Sequence, residues 1–158
     1  MKYYQKLLVL LFSFLIAGSL QAQNYNTAAG LRLGASNGVS IKHFMGSSDA
    51  VELIANTRWR GIQLIGLYER HQSIAKSQRF QFYYGAGAHA GIWNDYDNHP
   101  WFDKDKTSSE VVVGIDAILG VEYVFKSVPF ALSLDWKPEL NIIGYSGLWA
   151  GDAGLSIR

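Results

Sequence analysis

The sequence has 158 residues, of which 14 are basic and 13 acidic, and it contains no cysteine. This near-balance leaves no basic field for nucleic-acid binding, and a chain without cysteine has no disulfide framework. Charged residues make up 17% of the chain and hydrophobic residues 49%, whereas soluble domains carry about 25% charge. The composition therefore excludes a nucleic-acid-binding protein and a disulfide-rich domain, and it favours a membrane protein built from strands.

The first 22 residues have the order of charged, apolar and small residues that is typical of a secretory signal peptide. Lys2 and Lys6 precede an apolar run from Leu7 to Ala17, and small or polar residues follow up to Ala22. The alternative is a membrane helix, but the run is shorter than the roughly 20 residues that span a bilayer. Residues 1–22 are therefore predicted to be cleaved. Residues 23–158 then form one domain with 12 basic and 13 acidic residues, a net charge of −1.

Apolar and polar residues alternate with period two along the rest of the chain, which indicates strands rather than helices. The clearest instance is VPFALSLDWK, where Phe130, Leu132 and Leu134 alternate with Ser133 and Asp135. Eight such segments predict an all-β fold, an eight-stranded antiparallel up-and-down transmembrane β-barrel. The predicted strands cover residues 27–34, 38–45, 50–59, 61–71, 79–93, 111–125, 128–137 and 148–158.

The segment FQFYYGAGAHAGIW, residues 80–93, has one apolar face and one face of glycine and polar residues. It raises the question of which face of each strand points out of the barrel. A soluble lipocalin-like barrel would have an oily interior and a charged exterior, whereas a membrane barrel reverses this order. The polar faces hold mostly glycine, serine and single charges, which are too sparse for a water-facing coat and suit a crowded eight-stranded interior. The apolar faces are therefore predicted to meet lipid, although the aromatic rings could instead fill an ordinary core. The predicted membrane-interface aromatics are Trp59, Tyr68, Phe80, Phe82, Tyr123, Phe125, Phe130 and Trp136.

The chain has a family likeness in five segments: TAAGLRLG, YYGAGAHAGIW, GIDAILGVEYVF, LSLDWKPELNIIGYSG and GLSIR. In these segments the sequence resembles small eight-stranded outer-membrane β-barrel proteins of the Bacteroidota type, with an OmpA/OmpX-like architecture. The resemblance implies a location in the outer membrane of a Gram-negative bacterium, in contact with outer-membrane lipid and with the insertion machinery. Few members of that family have an assigned activity, so the resemblance implies a fold and a location rather than a reaction.

Alternation also assigns a set of charged residues to the barrel interior. Five bases and six acids nearly balance there, and unpaired charges would be costly, so ion pairs are expected. A lumen plugged by charge pairs is the favoured interpretation, and a narrow channel with a gated polar path is the alternative. The predicted lumen charges are Arg32, Lys42, Glu52, Arg58, Glu69, Asp116, Glu122, Asp135, Lys137, Asp152 and Arg158.

His89, Asp116 and Ser133 lie on the same side of the predicted wall and are weak candidates for a hydrolase site. A triad needs hydrogen-bond contacts that alternation cannot supply, so a satisfied core histidine is the favoured interpretation and no catalytic residue is predicted. A lipid-modifying enzyme, an acyl hydrolase or transferase, remains the alternative function.

Two long extracellular loops, residues 94–109 and 138–147, are the predicted contact surface. Pro100, Trp101 and Phe102 at the tip of the first loop are candidates for contact with an extracellular partner. Four aspartates surround His99 in the same loop, but the central glycine and terminal glutamate of a calcium loop are missing. No metal or cofactor is predicted, and the leading function is a structural or interaction role.

Overall fold

The computed structural model describes residues 26–58, 61–74, 79–93, 110–144 and 146–158. Within these ranges no helix is long and apolar enough to cross a membrane. The described chain forms ten strand segments: β1 (Thr27–Gly34), β2 (Asn37–Phe44), β3 (Asp49–Arg58), β4 (Gly61–Ser73), β5 (Phe80–Trp93), β6 (Glu110–Val124), β7 (Ala131–Trp136), β8 (Glu139–Ile143), β9 (Gly147–Trp149) and β10 (Ala153–Ile157).

The strands close into a ring in which every neighbouring pair is antiparallel. Each strand from β1 to β7 pairs with the next one along the chain, including β5 with β6. β10 pairs with β7 on one side and with β1 on the other, which closes the ring. β8 continues from β7 along the same neighbour, β6, and β9 pairs with β8 before the chain enters β10. The ring therefore has eight strand positions. The all-β, eight-stranded, closed antiparallel barrel predicted from the sequence is confirmed.

The alternation of the sequence separates the inside of the barrel from the outside. In β7, Ala131, Ser133 and Asp135 are buried, whereas Leu132 and Leu134 are exposed on the outer surface. The exterior is apolar at other strands as well, since Ile62 in β4 is 71% exposed and Leu31 in β1 is 57% exposed. We call the end with the β1–β2 and β3–β4 turns the upper end, and the end with the β2–β3 and β6–β7 turns the lower end.

The predicted extracellular loop at 138–147 is wrong. Residues 139–143 form β8, and β9 begins at Gly147. Pro138 has no N–H to donate to a strand ladder, so the strand is interrupted there, but its carbonyl accepts a hydrogen bond from the Ala117 N–H at 3.0 Å. The alternation persists beyond this break, because Glu139 and Asn141 are buried.

Trp136 is therefore not at the end of the seventh strand, where the sequence placed it. It lies inside a run of strand from Ala131 to Ile143, broken only at residues 137–138. The predicted signal peptide 1–22, the aromatic Trp59, and the loop 94–109 with Pro100, Trp101 and Phe102 fall outside the described residues.

The middle of the interior contains an apolar cluster on one side of the wall. It consists of Ile54, Ile65, Leu67, Tyr83 and Ile118, which are all buried. Glycines on neighbouring strands make room for large side chains. A β-carbon on Gly120 would lie 2.6 Å from the Tyr83 hydroxyl oxygen. The interior is filled by its own side chains, as expected for an eight-stranded barrel.

Candidate functional site

The eleven charged residues assigned to the interior are all buried in the structure. They contact one another in two groups, one towards each end of the barrel. The lower network comprises Lys42, Glu52, Glu69, Glu122 and Arg158; the upper network comprises Arg32, Arg58, Asp116, Asp135, Lys137, Asp152 and a further acid, Glu139.

The lower network is centred on Lys42. Its ammonium lies 2.7 Å from a Glu69 carboxylate oxygen, 3.2 Å from one of Glu52 and 3.9 Å from one of Glu122. Arg158 donates to Glu52 and, at 3.1 Å, to Glu122. β2, β3, β4 and β6 each contribute one of these side chains, and Arg158 directly follows β10, so the network crosses the barrel from wall to wall.

The upper network repeats this arrangement around Lys137. Its ammonium lies 3.0 Å from Asp116, 3.2 Å from Glu139 and 3.3 Å from Asp152. Arg32 bridges two acids, with an N–O distance of 3.2 Å to Asp152 and 2.6 Å to Asp135. Each network thus holds one lysine among three carboxylates and an arginine that bridges two acids. The upper network also contains Arg58, which lies 3.8 Å from Glu139.

Each network also contains a histidine between a carboxylate and an amide. His89 lies 2.8 Å from Asp116 through Nδ1 and 2.8 Å from Asn141 through Nε2. His71 lies 3.2 Å from Glu69 through Nε2 and 3.1 Å from Gln81 through Nδ1. Both histidines therefore contact side chains of two strands or of their own strand and a neighbour, inside the barrel.

Sequence reasoning missed His71, Glu139 and Asn141 as members of these networks. His71 was taken as the last residue of a strand, and the other two were assigned to a loop. The alternation already pointed to all three residues. Position 71 continues the inward parity of Glu69, and positions 139 and 141 continue the inward parity of Lys137.

Tyr83 connects the two networks. Its ring stacks on His71 with a centroid distance of 4.9 Å, and the Lys42 ammonium lies 4.3 Å from the ring centroid. At the other end, the Tyr83 hydroxyl donates to Asp135 at 3.4 Å. The aromatic side chain therefore contacts members of both networks.

The structure does not assemble the three weak hydrolase candidates. His89 contacts Asp116, but Ser133 accepts a hydrogen bond from Arg158 at 2.7 Å in the lower network. Ser133 is registered with Glu122, six residues along β6 from Asp116, which corresponds to roughly 20 Å of strand. His89 therefore does not contact Ser133, and the constellation is corrected to a histidine–carboxylate pair.

Three ligand-type side chains of the upper network lie close together, with His89, Asp116 and Glu139 offering ligand atoms within 4.8 Å of one another. The ammonium of Lys137 already sits beside both carboxylates, at 3.0 and 3.2 Å. A protein cation thus already pairs with two of the three ligand-type side chains, and the cluster is part of the ion-pair network.

The predicted interface aromatics occupy two levels of the outer surface. Phe80 is registered with Tyr123, the Phe125 N–H donates to the Phe130 carbonyl, and the Tyr68 hydroxyl lies 3.0 Å from Asp49, all at the lower end. Phe82 is half-buried in the same region. Trp136 is exposed higher on the wall, where its indole N–H donates to the Ala150 carbonyl at 2.6 Å.

Comparison with known proteins yields a similarity of fold. No protein-family model matches the chain, and no curated protein matches it in sequence. The crystal structure of the N-terminal β-barrel domain of Pseudomonas aeruginosa OprF is similar, with a TM-score of 0.61 and 17% sequence identity. The alignment covers 85% of this chain and 97% of that domain. At this identity the likeness concerns the architecture, an OprF-type closed barrel.

Proposed function

We propose that the chain is an outer-membrane β-barrel protein of a Gram-negative bacterium with a structural or interaction role and a lumen plugged by charge pairs. One observation carries this proposal. The barrel is inverted relative to a soluble protein, with paired charges inside and apolar side chains outside.

The outer surface supports placement in lipid. Leu31, Ile41, Leu53, Leu64 and Leu134 lie on five different strands, and each is about half exposed on the barrel exterior. Soluble monomers rarely expose apolar patches larger than a few hundred Å², whereas membrane barrels present an apolar band to the acyl chains. The polar groups of the backbone are paired around the ring, as a lipid environment requires.

The interior supports a structural role over transport or catalysis. Lys42 and Lys137, at the centres of the two networks, are fully buried, and so is Tyr83, which contacts both networks. A channel would need a continuous wet path, and this interior leaves little room for one. A lipid-modifying enzyme would need polar groups on the lipid-facing surface, whereas His89 and Asp116 point inward.

The partners proposed for the barrel follow from its surfaces. Outer-membrane lipid would cover the apolar exterior, and the outer-membrane insertion machinery would receive the exported chain. An extracellular partner is proposed for the segment around Pro100, Trp101 and Phe102, on the strength of its aromatic composition.

Quenching of single tryptophans by brominated acyl chains tests this proposal. One variant retains only Trp136, which is 46% exposed on the exterior, and the matched variant retains only Trp93, which is 3% exposed in the interior. In both, the other tryptophans are replaced by phenylalanine and the protein is folded into vesicles. We expect strong quenching of Trp136 and little quenching of Trp93.

The opposite results have distinct meanings. Quenching of Trp93 but not Trp136 would mean that the faces are reversed. A folded, monodisperse protein in water without detergent would contradict membrane placement and favour a soluble barrel. Folding of each variant is checked by the heat-dependent gel migration that closed barrels show.

A further inference from the structure

We infer that the upper network binds one proton when the barrel folds, and that His89 carries this proton as an imidazolium ion. The inference goes beyond the proposed function, because it concerns the charge of the interior and holds in any environment in which the barrel folds. It rests on the charge balance of the network and on the hydrogen-bond geometry of the carboxylates and of the His89 ring.

The upper network contains one more acid than base among the described residues. Three positive charges face four negative ones, so the network has a net charge of −1 when its histidine is neutral. A buried charge without a counter-charge is costly, and one bound proton would bring the network to neutrality. The seven side chains, all buried, are Arg32, Arg58, Lys137, Asp116, Asp135, Asp152 and Glu139.

The carboxylates of the network already face donors, which leaves the extra proton no place on them. The oxygens of Asp135, Asp152 and Glu139 each lie between 2.6 and 3.8 Å from a donor on another side chain. One oxygen of Asp116 lies 3.0 Å from the Lys137 ammonium, and the other lies 2.8 Å from His89 Nδ1. The His89 ring is therefore the group in the network that can accept the proton.

Both nitrogens of the His89 ring face side-chain oxygens. Nδ1 lies 2.8 Å from a carboxylate oxygen of Asp116, and Nε2 lies 2.8 Å from the side-chain carbonyl oxygen of Asn141. A neutral imidazole has one N–H and can donate to only one of these oxygens, whereas an imidazolium donates to both. The contacts of the buried ring therefore match its protonated form.

The charged groups nearest the ring come from the neighbouring strands. β6 contributes Asp116 and β8 contributes Glu139, whose ligand atoms lie within 4.8 Å of the ring nitrogen and of each other. Lys137, between β7 and β8, contacts both carboxylates at 3.0 and 3.2 Å. β4 presents Ile65, which is registered with His89 and does not titrate. Two carboxylates and one ammonium thus surround His89, and an imidazolium balances their charge.

The pH dependence of folding counts this proton. An unfolded histidine loses its proton at about pH 6.5, whereas the folded barrel keeps it, so the folding equilibrium constant should fall as the pH rises above that value. For one proton we expect this constant to fall roughly eight-fold between about pH 7 and 8. The measurement is urea unfolding in detergent micelles. His89→Gln, which is neutral at both pH values, should lack this eight-fold fall, and the other titrating groups cancel in the comparison.

His43→Gln is the matched control, because His43 is exposed on the exterior and lies outside the network. It should leave the pH dependence of the unmodified protein unchanged. A fall in the folding constant that is the same in the unmodified protein and in His89→Gln would overturn the inference.

Nitrogen-15 NMR of labelled histidine reads the His89 ring directly and needs only the unmodified protein. We expect a proton on both ring nitrogens of His89 at about pH 8, a pH at which a free histidine is neutral. A ring nitrogen without a proton at that pH would overturn the inference, whether or not His89→Gln folds.

Discussion

Tyr83 lies against Gly120 on the neighbouring strand, and this contact sets the position of the ring that links the two charge networks. A β-carbon on Gly120 would lie 2.6 Å from the Tyr83 hydroxyl oxygen. The same relationship recurs at His89, whose Nε2 would lie 2.8 Å from a β-carbon on Gly114. Glycine on the inner face therefore serves packing, because each large interior side chain needs a bare backbone opposite it.

Gly120→Ala is expected to destabilise the barrel by about 1–3 kcal/mol, because overpacking forces a buried side chain off its position. Tyr83 is fully buried, so it has little freedom to move away. The measurement is the free energy of unfolding in urea, in micelles or vesicles. Gly66→Ala is the matched control, since a β-carbon there meets nothing within 4 Å, and it should change stability by less than about 0.5 kcal/mol. Equal effects of the two would contradict the packing role.

Lys137→Met is expected to cost about 3–5 kcal/mol, because it leaves three carboxylates in the interior without their central cation. The control is Arg70→Met, which removes an exposed cation 3.9 Å from Asp49 and should cost no more than about 1 kcal/mol. Both variants are compared by equilibrium unfolding. A loss at Lys137 as small as that at Arg70 would show that the upper network contributes little to stability.

The barrel is expected to give no ion-conductance steps in planar bilayers. Lys42 and Lys137 bind three carboxylates each, and the buried Tyr83 contacts both networks. Recordings with reconstituted protein check this expectation, with protein-free detergent as the blank. Reproducible single-channel steps at a frequency that rises with protein concentration would contradict a plugged interior.

Much of this architecture follows from alternation alone. A strand places successive side chains on opposite faces, so the parity of Leu134 and Ser133 is enough to assign the outer and inner surfaces of β7. The charged residues that the sequence assigned inward are buried in the structure for the same reason. Parity carries no information on which buried groups meet, however. Asp116 pairs with His89, and Ser133 joins Arg158 instead, because strand register and not parity sets their heights.

The upper end of the seventh strand was harder to predict. Pro138 marks an interruption of the ladder, and a proline followed by a polar residue is also the usual signature of a loop. The strand continues because β6 is long enough to offer a partner to Glu139 and Leu140. That partner lies more than twenty residues away in the sequence, so the continued parity of Glu139 and Asn141 could not by itself distinguish a strand from a loop.

The central claim is that the apolar exterior of the barrel faces lipid, and Leu134→Arg tests it most directly. Leu134 is 57% exposed on the outer surface of β7. An arginine on the lipid face near mid-depth costs about 2–4 kcal/mol, so the free energy of folding into vesicles should weaken by that amount. The control is Gln72→Arg, at an exposed position near the lower end of β4, which should change the free energy of folding little. If Leu134→Arg folds into vesicles as stably as the unmodified protein, the exterior does not face lipid and the account is wrong.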